Sequence, residues 1–310
     1  MKKYELTSES IIVDDKKLFR IKALRDFGDV KAGDLGGFVE SENNLSHEGL
    51  AWVYDNAKVY GNAWVSDNAR VYDNAWVSDN ARVCGNARVY GNAWVLGNAM
   101  VFGNAMVFDI AWVFGTAKVY GTAKVYGSAE IYDNAMVFDN ARVFGNAMVY
   151  DNAMVFGDAE VYDNAEIYGN AKVFGNAKVY ARVTIKTGNL TSDVKENIKE
   201  TISCSLDILP INGVYTVFKR VVKKSSKIFI SEWDDNFKYE TGKTISVKNP
   251  NLNWSESCGS GLHFSTANYY PKKDCMNSAI IICQVHIDDI ITCQEGKIRA
   301  SKCFVIGECD

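Results

Sequence analysis

Asn56-Ala57-Lys58-Val59-Tyr60-Gly61 is followed directly by Asn62-Ala63-Trp64-Val65-Ser66-Asp67. The same six-residue unit runs on, without insertion or deletion, to Asn176-Ala177-Lys178-Val179-Tyr180. Alanines at a spacing of six, from Ala51 to Ala177, mark 22 units. A fixed short period is the mark of a stacked, quasi-one-dimensional solenoid. Within a unit, Ala and Val alternate about one residue, so they share a face and the residue between them points the other way. The Gly/Asp-Asn pair that follows tolerates left-handed backbone and supplies a turn.

Three hexads per coil close a triangular prism. The unit resembles that of the hexapeptide-repeat family, in which an aliphatic residue (here Val59, Val65) has a small residue two positions before it (Ala57, Ala63). The resemblance implies a left-handed parallel β-helix. This chain departs from the family after the aliphatic residue, where Tyr or Phe replaces the usual small side chain. At 18 residues per coil, the obvious repeats make about seven coils, or a rod about 35 Å long.

Residues 18 apart should lie directly above one another. Tyr54, Tyr72, Tyr90, Phe108, Tyr126, Phe144, Tyr162 and Tyr180 form an aromatic corner column. Three outward columns begin Lys58, Trp76, Trp94, Trp112; Trp52, Arg70, Arg88, Met106; and Trp64, Arg82, Met100, Lys118. Asn56, Asn74 and Asn92 stack at a turn, where amide ladders can form. Trp64, Trp76, Trp94, Trp112, Arg70, Arg82, Arg88 and Met100 are therefore interface candidates, since apolar patches on an exterior mark partner sites. Self-stacking of the rings is the competing reading.

The 310-residue chain is 47% apolar, carries a net charge of −4 and contains eight cysteines without paired spacing. No strongly basic segment is present, which disfavours a nucleic-acid partner. The cysteines suit a reducing compartment. No apolar run reaches membrane-spanning length and the first residues lack a signal-peptide core, so the expected location is the cytoplasm (the host cytoplasm if phage-encoded).

Residues 1–50 read as a β cap with the first coil, residues 51–185 as the β-helix and residues 186–310 as an α+β domain. In the cap, Ile11–Val13 and Leu18–Ile21 predict a hairpin joined by Asp14–Lys17. Leu45 keeps the repeat register, so the rod begins before Ala51. Gly28, Gly33, Gly36 and Gly37 read as turns, with no phosphate-loop pattern. The run from Leu24 to Phe38 resembles the start of hexapeptide-repeat proteins found in phages and prophages.

Beyond Tyr180, Val194, Ile198, Ile202 and Leu206 predict a helix over 191–206, with Ser192 and Asp193 as cap candidates. Strands are expected at 214–222, 227–230, 243–247, 280–287 and 297–306. Leu209-Pro210-Ile211, Gly213–Val221, Cys258-Gly259-Ser260-Gly261-Leu262-His263-Phe264, Tyr269-Tyr270, Val285–Ile291 and Gly296–Glu308 resemble, in order, the C-terminal region of the phage rIIB family. That resemblance covers about residues 195–308 and implies a phage or prophage setting, with no chemistry assigned. The family has no hexapeptide rod.

The rod has no histidine between Ala51 and Val183 and no loop insertion, which weighs against the acyltransferase chemistry of many hexapeptide proteins. His47 reads as a capping residue. Cys258 and His263, with Tyr269 nearby, are the C-terminal candidates. They could form a nucleophile–base pair or, with Cys275, a zinc site, but the spacing matches no strong pattern. More simply, they brace a glycine turn. No catalytic residue, metal or cofactor is expected. The reading is a non-enzymatic interaction protein that oligomerises, with a trimer favoured, and engages an unidentified protein target. An acyltransferase-like enzyme, and a protein sequestering a small nucleotide or metabolite, are the alternatives.

Overall fold

The computed structural model describes residues 2–270 and 277–309. The chain divides into two compact units, Met1–Tyr180 and Ala181–Asp310. The first is a mainly parallel β-solenoid that starts as a hairpin. Strand β1 (Tyr4–Val13) pairs antiparallel with β2 (Lys16–Ala23). Their turn is only Asp14-Asp15, both with positive φ, as a two-residue hairpin of this hand requires. Strand β3 (Leu35–Val39) then pairs antiparallel with β2 and parallel with Lys58–Val59. It is thus both the last strand of the cap and the first rung of the rod. The approach is close: a Cβ on Gly37 would sit 2.5 Å from the Ala57 carbonyl oxygen.

From there, two-residue strands stack in parallel at a register of 18, as in Trp76↔Trp94, Arg70↔Arg88 and Arg82↔Met100. Two faces carry eight rungs each within this unit. On the third, Leu45 bridges Val65 one step before the regular rungs begin. The rod therefore starts ahead of the obvious repeats and has about eight coils. Every Ala from Ala51 to Ala177 has no exposed surface, nor has any Val or Ile of the rungs from Val53 to Val179. The core is a column of small and β-branched side chains, one pair per hexad.

The corners explain the Gly/Asp alternation. Gly61, Gly85 and Gly91 have φ near +70°, and Asp55, Asp67, Asp73 and Asp79 occupy the same left-handed region. Aspartate compensates for its backbone strain by accepting a hydrogen bond one coil on. The Gly85 amide donates to Asp67 and the Gly97 amide to Asp79, both at 2.9 Å. Asparagine ladders run through Asn62, Asn80 and Asn98 and through Asn68, Asn86 and Asn104, at 3.0–3.1 Å. The column of Asn56, Asn74 and Asn92 is different. It is interrupted by Ile110 and Ser128, and among the described residues its only amide link is Asn146 to Asn164.

One outward position is not outward. Trp52 is 1% exposed because the cap covers it, with Phe27 and Tyr4 meeting its ring edge-on at 5.3 and 6.0 Å. Lys3 donates to the Ala51 carbonyl at 2.7 Å, so the cap also satisfies backbone acceptors at the end of the rod. His47 belongs to this cap. It stacks on Tyr4 at 4.4 Å, accepts from the Lys3 amide and lies 3.5 Å from Glu42.

The second unit holds a six-stranded antiparallel sheet in the order Lys238–Glu240, Ile228–Ser231, Val214–Lys223, Ser278–His286, Lys302–Glu308, Thr244–Ser246. A three-stranded sheet of Leu262–Phe264, Lys297–Ala300 and Ile290–Gln294 accompanies it. The single α-helix among the described residues, α1 (Ile198–Leu206), is shorter than the periodicity suggests. Asn197, rather than Ser192 or Asp193, accepts from the Glu200 amide and sets its start. Asp207, in left-handed conformation, ends it. The strand expected over 297–306 is two strands. The chain breaks at Ser301, whose amide donates to the Asp289 carbonyl, and passes from the small sheet to the large one. Among the described residues no helix is long and apolar enough to cross a membrane.

Candidate functional site

Strand Val214–Lys223 sends Tyr215, Val217, Lys219 and Val221 to one face, and all four are buried. A lysine in that series is the anomaly that locates the site. Lys219 donates to the His263 carbonyl at 3.2 Å and lies over the rings of Tyr239 and Phe264 at 5.6 and 6.0 Å. Burial pushes its pKa below the ordinary lysine value. No carboxylate among the described residues lies within ion-pair distance of it.

Lys219 lines a cleft of about 970 Å³, bounded also by Arg220, Glu232, Trp233, Phe237, Tyr239, the turn 258–261, His263, Tyr269, Tyr270 and Lys297. That is the upper end of the range for small-molecule sites. The three C-terminal candidates, Cys258, His263 and Tyr269, all open onto it. Arg220 grips both oxygens of Glu232 through Nε at 2.9 Å. Tyr269 is 42% exposed, and Trp233 stands 90% exposed at the rim.

His263 is held neutral. Burial first, then the positive charges of Lys219, Arg299 and Lys297, lower its pKa to about 4 against a hydrogen bond with the Ser257 backbone. Its Nε2 is buried without a hydrogen-bond partner among the described residues. Among the described residues no hydrogen bond joins His263 to the Cys258 thiol. Cys258 lies instead 3.8 Å from the Ser257 hydroxyl. Among the described residues no cluster of three His, Cys, Asp or Glu could hold a metal. Cys275, the third zinc ligand considered, lies outside the described residues.

The glycines of the turn serve packing. A Cβ on Gly259 would collide with the Arg299 guanidinium, and one on Gly261 would sit 2.7 Å from Arg299 Cγ. Arg299 is itself 1% exposed, with Nε and one Nη unpartnered among the described residues.

The rod candidates do not converge. Trp76, Trp94 and Trp112 stack on one face, Arg70 and Arg88 pair on a second, and Trp64, Arg82 and Met100 lie on the third. The Trp rings are 4.5 and 5.0 Å apart and nearly parallel, with Lys58 over the Trp76 ring at 4.7 Å. Arg70 is engaged by Asp29 of the cap at 3.1 Å. Of the cleft, sequence reasoning missed Lys219, Arg220, Glu232, Trp233, Phe237 and Tyr239. The lysine at an inward position of an alternating strand was the available signal.

The family model that matches this chain bears on the rod. A family model described as the YdcK β-solenoid repeat matches residues 63–79, 81–97 and 141–157. A protein of Escherichia coli (strain K12) named "Uncharacterized acetyltransferase YdcK" is 41% identical over 70 residues, which is 20% of this chain and 22% of that protein. The chain thus spans about a fifth of the length of this relative. The three segments matched by the family model lie within the repeats, and none reaches the cleft.

Proposed function

We propose that the chain is a non-enzymatic binding protein in which a rigid β-solenoid is joined to a domain that holds a small molecule in the Lys219–His263 cleft. The observation that carries this reading is a pair of under-partnered groups in the cleft wall. Among the described residues the buried Lys219 ammonium has one hydrogen bond and no carboxylate, and the buried His263 Nε2 has no partner. Buried polar groups left unmade are costly, and a ligand that meets both would recover that cost. The rod acts as spacer and self-association surface, with a trimer burying the Trp and Met columns. The resemblance of residues 195–308 to the rIIB C-terminal region supports a phage or prophage setting, and with it a cytoplasmic role against a host factor.

Native mass spectrometry of the purified chain tests this. The expected result is an oligomer carrying extra mass, released on denaturation and absent from a Lys219→Met, His263→Phe variant. A ligand retained equally by that variant would place binding elsewhere.

Acyl transfer is the second reading, favoured by the acetyltransferase name of the Escherichia coli relative. It requires a base on the rod. The segment from Ala51 to Val183 has no histidine, and His47 is engaged by Tyr4, Lys3 and Glu42. Acetyl transfer from acetyl-CoA that is lost in His47→Ala would establish this reading over the first.

A further inference from the structure

The cleft's chemistry narrows its occupant. Resting on the binding reading above, we propose that the ligand is a nucleotide, with its base against the aromatic rim, its phosphate at Lys219 and Arg220, and a hydroxyl or amino group donating to His263 Nε2.

Three features of the lining each call for a different part of one molecule. The first is a stacking plane. Trp233 is 90% exposed, yet its backbone amide is fixed by the Ser231 hydroxyl at 3.2 Å. Packing within the chain does not explain an indole held in water. Beside a cleft that also presents Phe237 and Tyr269, it is a face on which any base can stack.

The second is unspent positive charge. An ammonium has three donors, and Lys219 makes one hydrogen bond among the described residues. Arg220 meets Glu232 through Nε, which leaves its terminal nitrogens uncommitted to that carboxylate. Lys297, the third cation of the lining, is already ion-paired with Glu295 at 3.6 Å. Guanidinium and ammonium together suit a phosphate.

The third is a lone acceptor. His263 lines the cleft, its ring is neutral, and its buried Nε2 has no hydrogen-bond partner among the described residues, so it calls for a donor. An inorganic anion leaves the rings unused. A purely apolar ligand strands both the lysine and the imidazole. A nucleotide has the plane, the anion and the donor, and the volume admits one.

The test is calorimetry and tryptophan fluorescence on the full chain with AMP, GMP, CMP and UMP, set against ribose 5-phosphate, inorganic phosphate and the four nucleosides. At least one nucleotide should bind, and its nucleoside and ribose 5-phosphate should each bind about tenfold more weakly or worse. Trp233→Ala should weaken that nucleotide by roughly tenfold while leaving phosphate unaffected. Lys219→Met, which swaps a buried charge for a side chain of similar size, should weaken the nucleotide and inorganic phosphate alike and spare folding. Equal binding of the nucleotide and ribose 5-phosphate would overturn the proposal. So would failure of all four nucleotides while another small molecule occupies the cleft, which would leave the binding reading intact. A cleft that takes nothing overturns both.

Discussion

The ring of Trp94 lies 4.5 Å from that of Trp76, one coil away, with the planes 13° apart. Trp112 continues the stack on the other side of Trp94 at 5.0 Å. A parallel ladder in exact register puts every outward side chain over its equivalent, so identical residues stack without any further design. The aromatic corner does the same from Tyr72 to Tyr180, with centroids mostly 4.8–5.2 Å apart.

Trp94→Ala removes two ring contacts and should destabilise the coils around it by about 1–3 kcal/mol, at 0.5–1.5 per aromatic pair. Trp64→Ala should cost less, because Trp64 has Arg82 rather than a ring above it. Amide exchange of the neighbouring rungs is the measurement, since a repeat array opens locally. Equal loss of protection in both variants would refute the stacking account.

The corners order their substitutions in an unusual way. At Asp79, φ is +59° and the carboxylate accepts from the Gly97 amide. Asp79→Gly loses the hydrogen bond, about 0.5–1.5 kcal/mol, and relieves the backbone. Asp79→Ala loses the same bond and keeps a Cβ in the left-handed region at about 1–2 kcal/mol. Glycine should therefore be the milder change, as read by chemical denaturation. The reverse order would show that the left-handed backbone is not what limits these positions.

His263 gives the second unit an acid-sensitive stability. Its pKa is about 4 when folded and 6.5 for the free side chain. Between those values the unfolded chain binds the extra proton, so stability is full above pH 6.5 and falls as pH drops toward 4. With allowance for partial solvent screening the loss is about 2 kcal/mol. His263→Phe should flatten that limb in denaturant titrations across the window. An unchanged slope would mean that His263 is not desolvated in solution.

Gly259→Ala should displace the turn over Arg299 and destabilise the domain by about 1–3 kcal/mol, as overpacking does. Differential scanning calorimetry reads this directly. A neutral effect would show that the turn can move away from the guanidinium.

The rod was legible because each hexad repeats the same three instructions: a small residue inside, a β-branched residue inside, and a corner that accepts positive φ. Twenty-two copies leave no competing period. The start of the rod was legible from Leu45 alone, whereas the burial of Trp52 was not, since it depends on Tyr4 and Phe27 folding back over it. The cleft was partly legible. Cys258, His263 and Tyr269 stood out by residue type, but Lys219 and Trp233 reach it through strand pairing between segments tens of residues apart, which no local pattern records. The helix start was misplaced because Asn197 out-competes Ser192 and Asp193 as a cap through geometry that spacing does not reveal.

The central claim is that the Lys219–His263 cleft is a ligand site. Crystals of the full chain soaked with a library of small polar and aromatic fragments test it most directly. The account predicts fragments gathered between Trp233, Tyr270 and His263, with a donor on His263 Nε2 and an anionic group at Lys219. Fragments that settle along the rod while the cleft stays unvisited would contradict it.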